Sequence, residues 1–221
     1  MPRNYRRAKK MICGDSSIVD QLSFQMADGG AIPTSPLQFS IEVIDVHTAC
    51  RLNGLWHSRL PIIDWSNVVR NRHAICFGAR YNGDLYAVAI WSSPVAANRM
   101  KNGKQALELR RFAIAPTAPK NTGSRMLSVM KLIIKNQIPD VSWFVSYQDT
   151  EVHQGTIYKA AGWTLVGESA GLSWSNKSRV RNKEQSMARK ARWELQIRPT
   201  LTQLDQTVLL KRCDLFELVE L

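Results

Sequence analysis

The sequence predicts an α/β (α+β) domain, a central mixed, mainly antiparallel sheet flanked by helices, with basic extensions at both ends. Three observations predict it. Short runs of apolar alternation recur along the chain, segments of helical spacing lie between them, and an Asn-Gly pair joins two apolar runs as a tight hairpin does. With 221 residues, 44% hydrophobic and 22% charged, the chain is long enough to bury one full core, so one domain with tails is expected.

Residues 1–36 mix basic residues with Gly29, Gly30, Pro33 and Pro36, a composition suited to an arm rather than a core. The domain is expected over 37–200. Phe39, Ile41 and Val43 alternate as a half-buried strand, and Asp45 to Trp56 then has helical spacing with Asp45 as N-cap. Ala74–Ala79 and Leu85–Trp91 are antiparallel strands around Asn82-Gly83. A further strand spans Leu107–Ala115, before the breaks at Pro116 and Pro119. Met126, Leu127, Met130, Ile133 and Ile134 fall on one helical face. Val141–Tyr147 reads as a buried strand, Thr156–Ala161 as a helix stopped by Gly162, and Trp163–Val166 and Trp193–Ile197 as two more strands. Residues 201–221 form an amphipathic tail.

The chain carries 30 Lys and Arg against 18 Asp and Glu, a net charge of +12. Such an excess attracts polyanions and makes nucleic acid the favoured partner, although a soluble face has the same composition. Much of the charge lies in a basic segment, 176–192, with Lys177, Arg179, Arg181 and Lys183 as phosphate contacts. No apolar run is long enough to span a bilayer, and no signal-peptide core follows the basic start, so a soluble protein that is not secreted is expected. Cys13, Cys50, Cys76 and Cys213 form no CxxC pair, which argues against a zinc knuckle and a thioredoxin-type motif.

Two neighbouring segments carry a more specific signal. Leu107-Glu108-Leu109-Arg110-Arg111-Phe112-Ala113-Ile114-Ala115-Pro116 resembles the central strand of GNAT acyltransferases, and Lys120-Asn121-Thr122-Gly123-Ser124-Arg125-Met126-Leu127 resembles their pyrophosphate loop entering a helix. Small residues at a helix start let backbone N–H groups approach a phosphate, and the helix dipole favours its charge. The pattern departs at Ala118, where the family opens the loop with Arg or Gln, and at Asn121, which replaces its first glycine. A plain helix N-terminus is the simpler reading of Gly123-Ser124 taken alone.

A narrower resemblance covers roughly residues 37–168. Arg51 to Pro61 with His57-Ser58-Arg59-Leu60-Pro61, Arg111 with Phe112 to Pro116, Pro119 to Ser124, Ser146-Tyr147-Gln148-Asp149 and His153 to Ala160 resemble the Mom family of phage Mu-type DNA-modification proteins. The resemblance implies conversion of the adenine N6 amine in DNA to a carbamoylmethyl derivative, with acetyl-CoA as cosubstrate and iron (Fe2+) implicated. It further implies protection of phage DNA from restriction, and a phage or prophage origin in a bacterial cytoplasm. By position, His57, Asp149 and Tyr158 would form the reactive centre, and Arg111 and Ser124 would support the acetyl-CoA site. Phe112, Ala113, Ile114, Lys120, Asn121, Thr122, Gly123, Ser124 and Arg125 would hold the cofactor.

Adenine's exocyclic nitrogen is a poor nucleophile, because its lone pair is delocalised into the ring. Imidazole, carboxylate and phenolate are all iron ligands, so His57, Asp149 and Tyr158 are a candidate metal set, with His153 a rival ligand four residues from Asp149. Tyr158 has a second reading as a metal-free proton donor to the CoA thiolate. Each residue also has a structural reading: a loop hydrogen bond for His57, a cap for Asp149, core packing for Tyr158. A base inside a duplex must be flipped out, or met on an exposed strand, to react, and the expected partner is double-stranded DNA with a flipped adenine. Trp56, Trp65 and Tyr81 are stacking candidates, and Arg59 a further DNA contact. The chain is compatible with a homodimer. Two rival functions remain, an ordinary GNAT N-acetyltransferase of a small-molecule or protein amine, and a non-catalytic GNAT-fold DNA-binding protein.

Overall fold

A computed structural model describes residues 32–60, 63–71, 73–94, 96, 99, 105–170 and 188–199. Most of the basic arm, the phosphate candidates Lys177, Arg179, Arg181 and Lys183, and the tail 201–221 lie outside the described residues. A short 3-10 turn, Pro36–Gln38, precedes β1 (Ser40–Val43), α1 (Val46–Trp56), α2 (Trp65–Val69), β2 (Ile75–Tyr81), β3 (Asp84–Ser92) and β4 (Ala106–Ile114). Then follow α3 (Thr122–Gln137), β5 (Trp143–Asp149), α4 (Thr156–Ala160), β6 (Thr164–Ser169) and β7 (Lys190–Gln196).

The seven strands form one sheet in the order β1-β2-β3-β4-β5-β7-β6. Only β4 and β5 pair in parallel, and the other neighbours are antiparallel. This is the mixed, mainly antiparallel sheet the sequence predicts. Local signals act as expected: Asp45 caps α1 by accepting from the Thr48 N–H at 2.9 Å, and Asn82 and Gly83 take the positive φ of a tight hairpin, 46° and 89°. Gly162, at φ 78°, follows α4.

The main core lies on the sheet face covered by α3 and α4, where Phe77, Trp91, Leu107, Met126, Met130 and Phe144 are almost wholly buried. Each such side chain contributes roughly 1.5–3 kcal/mol by leaving water. On the opposite face α1 and α2 cover the β2–β4 half through Ala49, Leu52, Val68, Cys76, Val88, Ile90 and Ala113.

The pairing of β4 with β5 runs from Ala106↔Trp143 to Leu109↔Ser146 and then stops. Beyond that point β4 continues along β3 to Ile114, whereas β5 continues along β7 to Asp149. A register shift between Ile90 and Trp91 places Arg110 as an extra residue on β4 at the same level. A bulge bends and twists its strand, so the sheet opens into a wedge above Leu109 and Ser146.

Candidate functional site

One side of the wedge ends at the start of α3. Its N-cap, Asn121, is left-handed (φ 67°) and makes no side-chain capping bond. Thr122 Oγ donates to the Pro119 carbonyl at 2.7 Å, and Ser124 Oγ to the Asn121 carbonyl at 3.1 Å. The loop is thus tied to itself, and Gly123 and Ser124 in the first turn line a cavity of about 160 Å³ together with Ile114, Pro119 and Thr156. Gly123 has a packing role as well: a Cβ there would lie 2.9 Å from Ile157 Cγ2 and 3.2 Å from Ile114 Cδ1. Lys120 is exposed and Arg125 half-buried, its pKa lowered by desolvation. On β4, Phe112 and Ile114 pack with the α3-side core while Ala113 lies under α1.

On the α1 side of the sheet, polar groups gather at the mouth of the wedge. His57 ends α1, and its Nδ1 accepts from the backbone N–H groups of Arg59 (3.2 Å) and Leu60 (3.1 Å). The neutral ring therefore carries its proton on Nε2. Desolvation, followed by Arg111, His153 and Lys190, lowers the His57 pKa to about 4. Arg111 reaches the same region from β4. Its Nη1 donates to the Arg110 carbonyl at 2.6 Å, its buried Nε finds no hydrogen-bond partner among the described residues, and desolvation lowers its pKa to about 10.

Asp149, 8% exposed at the end of β5, faces Lys190 across the β5–β7 ladder, with 2.9 Å between Oδ2 and Nζ. Arg59 Nε stands 3.8 Å from the same oxygen, and the Arg59 guanidinium pairs with Glu151 at 2.9 Å. Asp149 Oδ1 accepts the Glu151 N–H at 3.1 Å. Arg59, expected as a DNA contact, is thus bound into the rim of the site.

Tyr158 lies on the other face of the sheet. Its ring stacks on Trp193 (centroids 5.4 Å, 13° apart) and meets Trp163 edge-on at 5.4 Å. Its hydroxyl is 2.9 Å from Ser146 Oγ, which donates to the Leu109 carbonyl at 3.3 Å, at the level where β4 and β5 part. Burial raises its pKa, so it is a neutral phenol. Gly155 braces this side: at φ 73°, a Cβ would lie 2.3 Å from Trp193 Cζ2 and 2.6 Å from Gln148 Oε1, which accepts Trp193 Nε1–H at 2.7 Å.

His57, Asp149 and Tyr158 do not fit together as an iron ligand set. The free lone pair of His57 is turned to two backbone N–H groups, Asp149 is engaged by Lys190, Arg59 and Glu151, and Tyr158 is a buried phenol on the opposite face. His153 does not share a helical face with Asp149. It is exposed in the loop after β5, where a single turn carries its N–H to the Asp149 carbonyl at 3.1 Å. Among the described residues no three His, Cys, Asp or Glu side chains cluster as a metal centre.

The stacking candidates also fall elsewhere. Tyr81 is core, 8% exposed, Trp56 packs against the cluster under α1, and Trp65, although 47% exposed, lies against His47 at 4.6 Å. Sequence reasoning missed Lys190, which it left within the basic segment 176–192, and Ser146 as the partner of Tyr158. The alternation Lys190, Arg192, Glu194 was the available signal, since β7 begins three residues before the apolar run at Trp193.

The fold that carries this wedge is shared with solved acetyltransferases. A GNAT family acetyltransferase from Elizabethkingia anophelis with acetyl-CoA bound is 13% identical, with a TM-score of 0.52, over 72% of this chain and 97% of that one. An N-acetyltransferase from Staphylococcus aureus Mu50 is 10% identical, TM-score 0.52, over 72% and 97%. An acetyltransferase from Bacillus subtilis in complex with CoA is 15% identical, TM-score 0.50, over 72% and 98%. These similarities establish the GNAT acyltransferase fold. Among curated proteins none matches the sequence. The sequence profile of the Mom protein family matches residues 38–216, and the chain belongs to that family.

Proposed function

We propose that this chain is an acetyl-CoA-dependent transferase that modifies the N6 amine of adenine in DNA to a carbamoylmethyl derivative, shielding phage DNA from restriction. One observation carries the reading: in a chain of the Mom family, β4 and β5 part at Leu109 and Ser146, with a neutral phenol on one side and the His57–Asp149–Lys190 cluster on the other. Acetyl-CoA brings the acetyl group as an activated thioester. The Gly123 and Ser124 N–H groups at the start of α3 receive its pyrophosphate. The edge of β4 from Arg110 to Ile114, unpaired with β5, receives the amides of its pantetheine arm.

Around the reacting atoms, Tyr158 gives its hydroxyl proton to the leaving thiolate and Ser146 holds that hydroxyl in line. Asp149 accepts the hydrogen of the adenine amine, and the Nε2–H of His57 donates to the acyl oxygen. Arg111 keeps this mouth positive. These steps balance as acyl transfer to the amine; the carbamoylmethyl product further needs a two-electron oxidant, which lets the acetyl methyl carbon bond to N6 with loss of a hydrogen, and an ammonia nitrogen, which displaces the thiolate at the carbonyl carbon. The buried phenol of Tyr158 favours a second reading, plain acetylation of an amine without metal.

The two readings separate in one assay. Lysate of cells expressing the chain, which supplies the oxidant and the amide nitrogen, and matched lysate without it are incubated with radiolabelled acetyl-CoA and either duplex DNA or a mixture of polyamine and peptide amines. Label recovered in deoxyadenosine supports the proposal. Label in the amines alone supports plain acetylation and contradicts it.

A further inference from the structure

We infer that Tyr147 on β5, with Arg99 and Arg192 beside it, is the seat of the acceptor nucleotide, the ring stacking on the extruded base and the two guanidiniums holding its flanking phosphate. The inference rests on the DNA reading and assigns the surface that reading requires. Alternation on β5 and β7 buries one face, through Phe144, Ser146, Gln148, Ala191 and Trp193, and leaves Tyr147, Lys190 and Arg192 half-exposed on the other. The same face carries Val145 and Asp149, both buried. Tyr147 and Asp149 are two residues apart on it, a spacing of roughly 7 Å, about the reach from the middle of a purine to groups held near its amine.

The surroundings of Tyr147 suit a nucleotide. Arg192 is its cross-strand partner, with the side chain 28% exposed and Nε 3.1 Å from Glu194. Arg99 Nε donates to the Tyr147 hydroxyl at 2.8 Å, with the guanidinium carbon 5.9 Å from the ring centre. A guanidinium lying flat on the ring would be roughly 2 Å closer; Arg99 is tied to the hydroxyl end of a ring that is half-exposed. Among the described residues no carboxylate pairs with Arg99, whose charge therefore suits a phosphate. An aromatic face flanked by cations is the combination that holds unstacked bases. Continuity with Asp149 and His57 directs the amine edge of that base into the wedge.

The test is a fluorescence-anisotropy titration of two single-stranded oligonucleotides at fixed salt, one with a central adenine and one abasic there. Wild-type protein is expected to prefer the adenine strand. Tyr147→Ala should lose that preference, roughly tenfold, and bind the abasic strand as wild type does, while Tyr147→Phe retains it. Arg99→Gln should weaken both strands alike. Melting temperature and acetyl-CoA affinity establish that each variant is folded. Equal preference in Tyr147→Ala and wild type would overturn the inference while leaving the DNA reading standing. A wild-type protein that binds neither strand overturns both.

Discussion

His57 shows how much of the site depends on one buried ring kept neutral. Its folded pKa is about 4 against an ordinary 6.5, so the unfolded chain takes up a proton that the folded one refuses. The resulting stability is fully present above about pH 6.5 and is lost as the pH falls towards 4. Urea denaturation at pH 7.5 and pH 5 should show wild type losing stability on acidification, and His57→Gln losing less. Equal losses in the two proteins would remove the electrostatic account of this residue.

Gly155 has no room for a side chain. The clash with Trp193 and Gln148 and the left-handed backbone together predict that Gly155→Ala destabilises by about 2–4 kcal/mol, measured as a shift in urea midpoint. Because Trp193 stacks on Tyr158, turnover should fall more than acetyl-CoA affinity. The candidates His57, Asp149 and Tyr158 were legible as residue types at family positions. Their faces were not, because strand parity places Ser146 and Asp149 on opposite sides of β5 only once the strand's register is known.

At the level of elements, α3 meets β4 and α4 at one glycine. Gly123→Ala must push Ile157 or Ile114 aside, moving the helix start, and should weaken acetyl-CoA binding several-fold in a calorimetric titration. Gly123→Ala with Ile157→Ala, which removes the obstructing Cγ2, should recover part of the loss, and no recovery would mean that the glycine acts through the phosphate contact alone. The strands, the hairpin and α3 were readable from periodicity and turn chemistry. α2 was not: five residues are too few for a helical period, and only its cap, Asp64 accepting the Ser66 N–H at 2.9 Å, marked it. Nor could periodicity give the parting of β4 and β5, a property of which strands pair and for how long.

For the whole molecule, the net charge of +12 is the feature that reaches beyond the domain. Replacing Lys177, Arg179, Arg181 and Lys183 by Gln should flatten the slope of log affinity for duplex DNA against log salt by about 3–4 and leave acetyl-CoA affinity unchanged. An unaltered slope would make that segment a solvated face.

The central claim is DNA modification at the wedge, and mass spectrometry of nucleosides tests it most directly. Plasmid DNA is recovered from cells expressing the wild-type chain or Asp149→Ala, digested and compared. An adenosine species about 57 Da heavier, the mass of a carbamoylmethyl addition, present with wild type and absent with Asp149→Ala, is the predicted result. Unmodified DNA from cells making folded protein that binds acetyl-CoA would contradict it.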